Sequence, residues 1–211
     1  SGNVANQGVG GGIFNDQATL MVSNCTISGN SAASGGGIYS EGQLDGGATL
    51  EVVNSTLSGN WATFGGAIYA SSDSFNSARL YVFHTTLSGN SASSSGGGGG
   101  IYNAGAITQL ANTVFNASSI FRASGMIRSL GYNLCSDDGS GFLTATGDQI
   151  NTDPMLGPLQ DNGGPTFTHT LLSGSPAIDS GDPSFDPYSF SPLLLEDQLG
   201  DVVQLALHVE A

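Results

Sequence analysis

The chain has 211 residues, 33 of them Gly and 7 Pro, with 3 basic side chains against 17 acidic ones for a formal charge of −14, and 38% of its residues are hydrophobic. That length allows one domain or one elongated array with enough apolar content for a core. Arg79, Arg122 and Arg128 are the only cations and there is no Lys, so no basic patch exists to neutralise phosphates and nucleic acid is excluded as a partner. The same surface repels anionic membranes and polyuronates over a Debye length of ~10 Å.

No apolar run reaches the ~18 residues of a membrane-spanning helix. Residues 1–20 lack the charged and apolar regions of a signal peptide, so any export signal is expected to lie upstream or to have been removed. Ser1-Gly2-Asn3 aligns with Ser28-Gly29-Asn30, so the chain is expected to open in mid-coil. The expected partner at that edge is either the upstream coils of a longer parent chain or another copy stacked head to tail.

A repeat follows at once. Asn24-Cys25-Thr26-Ile27-Ser28-Gly29-Asn30 returns as Asn54-Ser55-Thr56-Leu57-Ser58-Gly59-Asn60 and as His84-Thr85-Thr86-Leu87-Ser88-Gly89-Asn90, each step being 30 residues. Alternating stretches precede each block (Leu20 and Val22, Leu50 and Val52, Leu80 and Val82). Gly-Gly-Ile-Tyr or a variant follows, ending in Ile38-Tyr39, Ile68-Tyr69 and Ile101-Tyr102, with Ile13-Phe14 ahead of them. Short period-two apolar runs separated by Gly, Ser and Asn read as strands, and no helical period persists.

Three short strands per lap predict an all-β fold, a right-handed parallel β-helix (β-solenoid) of four to five coils, its regular ~30-residue coils over residues 1–116, with equivalent residues stacked ~4.8 Å apart. Ile27/Leu57/Leu87/Phe115 and Ile13/Ile38/Ile68/Ile101 are the expected core columns. Asn24, Asn54, His84 and Asn112 are expected to form an inward structural ladder at a bend, each amide bonded to the next coil, because an unpaired buried amide costs roughly 1–3 kcal/mol. The insertion Ser93 to Gly100 is expected on a loop outside the barrel.

The last coils and an irregular cap are assigned to residues 117–185, and a divergent tail to 186–211. Prolines cluster from Pro154 onward, among Asn-Gly-Gly and Ser-Pro turns, so regular stacking stops there. An array needs such an end to cover its last row of backbone groups.

The repeat pairs Gly65-Gly66-Ala67-Ile68 and Leu57-Ser58-Gly59-Asn60 resemble the GGAI and FxxN repeats of polymorphic outer-membrane proteins and related bacterial β-helix repeats, with Leu or Ile in place of Phe. Ser129-Leu130-Gly131-Tyr132-Asn133-Leu134, Asp153-Pro154-Met155-Leu156-Gly157-Pro158-Leu159, Asn162-Gly163-Gly164-Pro165-Thr166 and Gly174-Ser175-Pro176-Ala177-Ile178-Asp179 occur in order. That series is similar to the C-terminal part of the bacterial choice-of-anchor Q β-helix proteins, and Asp197-Gln198-Leu199-Gly200 resembles the family's later Asp-Gln-Arg-Gly. The resemblance implies an exported, extracellular or cell-surface protein.

Candidate chemistry is sparse. A uronate lyase wants clustered Ca²⁺-binding acids and a basic residue on one face, whereas the repeats offer Arg79 with Asp45, Glu51 and Asp73 scattered. Asn151-Thr152-Asp153 and Asp137-Asp138 resemble polygalacturonase motifs without their Gly-His-Gly and Arg-Ile-Lys companions. Asp137, Asp138, Asp179 and Asp182 are Ca²⁺ candidates on loops, against the plainer reading of Asp in turns; no other cofactor is expected. His84, His169 and His208 lack zinc-ligand spacing. Cys25 and Cys135 are expected as free thiols, since about four rungs of ~4.8 Å exceed the ~7 Å a disulfide allows. Thr26, Ser28, Thr56, Ser58, Thr86 and Ser88 form an expected outward hydroxyl grid able to order water, bind ice or bind another surface. The expected function is a structural or adhesive module without catalysis, contacting surface glycans or host and matrix proteins or assembling into filaments; a carbohydrate-active enzyme is the alternative.

Overall fold

Strands in this chain are laid down in the same order on every lap. The computed structural model describes residues 1–43, 46–74 and 77–190, so Asp45, His208 and the Asp197-Gln198-Leu199-Gly200 echo lie outside the described residues. The first coil carries β1 (Val4–Val9), β2 (Ile13–Asp16), β3 (Thr19–Ser23) and β4 (Thr26–Ser28). The second carries β5 (Ser31–Ser34), β6 (Ile38–Gly42), β7 (Ala48–Val53) and β8 (Thr56–Ser58), and the third β9 (Trp61–Ala62), β10 (Ile68–Ser72), β11 (Ala78–Phe83) and β12 (Thr86–Ser88). In the fourth, β13 (Ser91–Ala92) precedes a long β14 (Ile101–Ala111) and β15 (Val114–Asn116); β16 (Ile120–Gly131) and β17 (Leu134–Cys135) form the fifth.

These strands pair in parallel into three faces of a β-solenoid: β1-β5-β9-β13, a broad face joining β2-β6-β10-β14 to β14-β11-β7-β3 with β16 on β14, and β4-β8-β12-β15-β17. Both expected apolar columns are in register. Ile38 pairs with Ile13 and Ile68, and Ile68 with Ile101. Leu57 pairs with Ile27 and Leu87, and Leu87 with Phe115. Ile38, Ile68, Ile101, Leu57, Leu87 and Phe115 are fully buried, each worth ~1.5–3 kcal/mol of transfer free energy. A third column, Leu50 and Leu80, meets Thr108, whose buried Oγ1 has no hydrogen-bond partner among the described residues.

The inward amide ladder stands elsewhere than the sequence suggested. Asn24, Asn54, His84 and Asn112 do sit at a bend, all with φ between 47° and 52°, but Asn24 is exposed and Asn54 and His84 are half-exposed. Their column points outward, and Asn54 Nδ2 donates to Asn24 Oδ1 at 2.5 Å in solvent. The inward column is Asn30, Asn60 and Asn90, at 1%, 0% and 2% exposure. Asn60 donates through Nδ2 to Asn90 Oδ1 and to the Ile27 carbonyl, both at 2.9 Å, and its Oδ1 accepts from the backbone N–H and Nδ2 of Asn30 at 3.0 Å. Ser118 Oγ closes the ladder by accepting from Asn90 N–H and Nδ2. The residue before each inward Asn is Gly29, Gly59 or Gly89 at φ 61–64°, a left-handed bend that costs a glycine nothing. A second inward polar column, Ser55, Thr85 and Thr113, donates each hydroxyl to the carbonyl two residues back.

The C-terminal cap is in two parts. Phe142 and Leu143 close the apolar end of the barrel, and Asp148 ties the last turn by accepting from Asn133 N–H, Asn133 Nδ2, Ser129 Oγ and Ala145 N–H. From there the chain returns along the side of the solenoid, through an antiparallel hairpin of β18 (Leu156–Gln160) and β19 (Thr168–Leu171).

Replacing Asn60 by Ala strands the backbone N–H and Nδ2 of Asn30 and removes a donor from the Ile27 carbonyl, so a loss of about 3 kcal/mol is expected in urea unfolding, while Asn54→Gly in the outward column is near neutral. Thr108→Val, which removes a buried hydroxyl lacking a partner at nearly constant shape, is expected to add about 1 kcal/mol in the same measurement.

Candidate interaction surface

Alternation along β4, β8 and β12 turns Thr26, Ser28, Thr56, Ser58, Thr86 and Ser88 outward, opposite the core residues Ile27, Leu57 and Leu87, and pairs them rung to rung. They do not form the open grid expected from the sequence. Thr56, Ser58 and Ser88 are buried and the other three half-buried, because the returning C-terminal arm covers this face. Thr26 Oγ1 donates to the Phe167 carbonyl. His169 Nδ1 donates to the Gly157 carbonyl at 2.7 Å, and its Nε2 lies in hydrogen-bond contact with Ser58 Oγ at 3.0 Å. Further along, Asn112 Oδ1 accepts from Asp182 N–H at 2.8 Å, and Phe185 packs its ring against Phe83 at 5.1 Å and His84 at 5.8 Å.

The flank that stays open is built by the residue after each core Ile. Phe14, Tyr39, Tyr69, Tyr102 and Phe121 pair in register across β2, β6, β10, β14 and β16. Successive ring centroids are 5.5, 4.9, 5.0 and 5.3 Å apart. The Tyr39–Tyr69 and Tyr69–Tyr102 planes lie within 9° and 13° of parallel, so ring faces meet one another, the half-buried rings turn their edges outward, and the Tyr39 hydroxyl accepts from Ser71 Oγ at 3.5 Å. Each such pair adds ~0.5–1.5 kcal/mol beyond its buried area. Phe14 is 50% exposed and Phe121 36%, and Phe64 widens the row beside Tyr102 at 5.2 Å.

Burial, with smaller contributions from the neighbouring Glu41, pushes the Tyr39 phenol up to about 12, and burial followed by Tyr102 raises Tyr69. These hydroxyls therefore remain donors at neutral pH. In the sequence these aromatics stand out only as markers of the repeat. Their position next to every inward Ile was the available signal, since alternation makes that position outward.

The remaining candidates are dispersed. Asp137 Oδ1 accepts from Gly139 N–H, Asp138 Oδ1 from Ser140 N–H and Asp182 Oδ1 from Ser184 N–H, the turn geometry of Asp. Among the described residues no three His, Cys, Asp or Glu side chains gather as a metal set. Glu51 is 2% exposed on β7, whereas Arg79 on β11 and Asp73 are exposed. Cys25 and Cys135 are free thiols, the first exposed and the second buried. Burial, reinforced by Asp137, pushes the Cys135 thiol up to about 12.

A scan against protein families matches this chain to the Chlamydia polymorphic membrane protein repeat at residues 24–41, 54–71 and 84–104. Over those stretches it is similar to a repeat of polymorphic membrane proteins. Each match starts at the outward bend residue and takes in the inward Asn and the Tyr of the aromatic row. No curated protein and no solved structure matches. Together with the solenoid, these repeats suggest a surface-associated bacterial β-helix module. No helix among the described residues is long and apolar enough to cross a membrane.

His84 joins the arm to the solenoid and carries a pH signature. Burial lowers its pKa, against the opposing pull of the Phe185 carbonyl and Asp182. A base favoured in its neutral form contributes its full stability above about pH 6.5 and loses it as pH falls through the lowered value. The protection factor of the Phe185 amide, its exchange rate corrected for the intrinsic pH dependence, is therefore expected to fall on acidification from about pH 7 to about pH 5, and His84→Asn, the residue of the other coils, is expected to flatten that dependence.

Proposed function

We propose that this chain is a non-catalytic contact module of an exported bacterial surface protein, acting through the aromatic flank of a stiff β-solenoid. The observation that carries the reading is the asymmetry of its sides. The hydroxyl face is taken up by the chain's own arm, while the row from Phe14 to Phe121 presents exposed and half-exposed aromatic rings to solvent. Exposed aromatic clusters of this size are characteristic of interaction sites, where Tyr supplies contact area at little entropic cost.

Surface placement is supported by the polymorphic membrane protein repeats and by the resemblance of Ser129 to Asp179 to choice-of-anchor Q proteins. Adhesion to glycans or to host and matrix proteins is the role that suits such a side. A further coil laid on β2, β3 and β4, from the same polypeptide or another copy, would continue every column and extend the rod end to end.

Beads coated with the chain are expected to adhere to cells or matrix. The triple variant Tyr39→Ser/Tyr69→Ser/Tyr102→Ser is expected to lower adhesion about tenfold, with an unchanged far-ultraviolet spectrum and Thr86→Ala as the unaffected control. Full adhesion by the folded triple variant would remove the aromatic flank from the account.

A further inference from the structure

A groove of about 450 Å³ opens beside β13. It arises from a change in the path of the coil. Residues 29–37, 59–67 and 89–100 connect the hydroxyl face to the next core Ile and lay down β5, β9 and β13 on the way. In the fifth coil only residues 117–119 lie between β15 and β16, so the chain cuts the corner and the face β1-β5-β9-β13 ends at β13. This edge is internal to the solenoid, bordered by its own fifth coil.

The exposed backbone can be read off the ladder. Ser91 N–H donates to the Asn60 carbonyl and Ser93 N–H to the Ala62 carbonyl, both at 2.9 Å, so residues 91 and 93 face the third coil. Alternation turns the N–H and C=O of Ala92 the other way, into the groove. The side chains agree: Ala32 and Ala62 in the same column are 5% and 0% exposed, whereas Ala92 is partly uncovered. Gly97 and Ser119 flank the opening and Ser140 borders it. Asp137 lines it as well; its Oδ1 is engaged by Gly139 N–H and the Cys135 thiol, and Oδ2 remains an acceptor.

We propose that this groove accepts an extended basic peptide from a partner protein, added as the next strand on β13. Strand addition supplies hydrogen bonds to Ala92, and the Ala column restricts the inward residue to Ala, Gly or Ser. Asp137, in a chain of net charge −14, selects Lys or Arg at the position that reaches it. Another copy of this chain is a poor donor. It has no Lys, and Arg79, Arg122 and Arg128 are already held in β11 and β16. The groove shares Phe121 with the end of the aromatic row, but Tyr39, Tyr69 and Tyr102 do not line it, so the variants that test the two proposals are distinct and either can fail alone.

The test is calorimetric and NMR titration of the full chain with the capped heptapeptide Ac-SASKSAK-NH2 and its acidic counterpart Ac-SASESAE-NH2. The Lys peptide is expected to bind at least about tenfold tighter, with amide shifts centred on Ala92 and Ser119. Ala92→Pro removes the donor without breaking a bond to the third coil and is expected to weaken binding by about tenfold or more. Asp137→Asn keeps the turn acceptor and is expected to erase the preference for Lys. As a check that needs no variant, N-methylating the peptide backbone should abolish binding to the wild-type chain. Equal affinity for the two peptides, unaltered binding by the N-methylated peptide, or no binding at millimolar peptide overturns the proposal.

Discussion

The column Asn30, Asn60 and Asn90 is the constraint on which the solenoid rests. A buried primary amide has two donors and an acceptor to satisfy, and here each rung satisfies the one below it, through amide-to-amide bonds of 2.9–3.0 Å and bonds into the backbone of the preceding coil. Such a ladder tolerates no slip, because a shift of one residue would bury unpaired amides and turn the Ile and Leu columns to solvent. The apolar columns provide most of the driving force, and the amides specify how the laps stack. Where the ladder stops, at Ser118, the coil also changes its path.

A register fixed in this way turns each repeated outward residue into a row. Two such rows meet different fates. The Thr and Ser rows are consumed within the molecule by the returning arm, held at Thr26, Ser58, Asn112 and Phe83. The aromatic row stacks on itself and stays open, with its rings held by neighbours above and below, so it is presented as a rigid edge. Glycine at the tight corners allows the coils to approach so closely; a Cβ at Gly36 would run into the Trp61 and Gly66 carbonyls.

The 30-residue period, the β-solenoid and the Ile and Leu columns were legible in the sequence because apolar alternation and repetition reinforce each other there. Which Asn column faces inward was less accessible, since both recur at the same period and both lie at left-handed bends. One clue was present: the outward column accepts His84, whereas Asn30, Asn60 and Asn90 do not vary and each follows Gly. Covering of the hydroxyl face by the arm was not legible, because residues 153–190 carry no repeat and their contacts with Thr26 and Ser58 span more than a hundred residues. The short cut at residues 117–119 was hidden for a related reason, as a missing strand leaves no motif.

Side-chain amide hydrogen exchange tests the central claim most directly, because it reads the ladder itself. The Nδ2 protons of Asn30, Asn60 and Asn90 are expected to be protected to nearly the level of the core backbone amides, while those of Asn24 and Asn54 exchange freely. Comparable exchange in the two columns, or protection confined to Asn24 and Asn54, would contradict it.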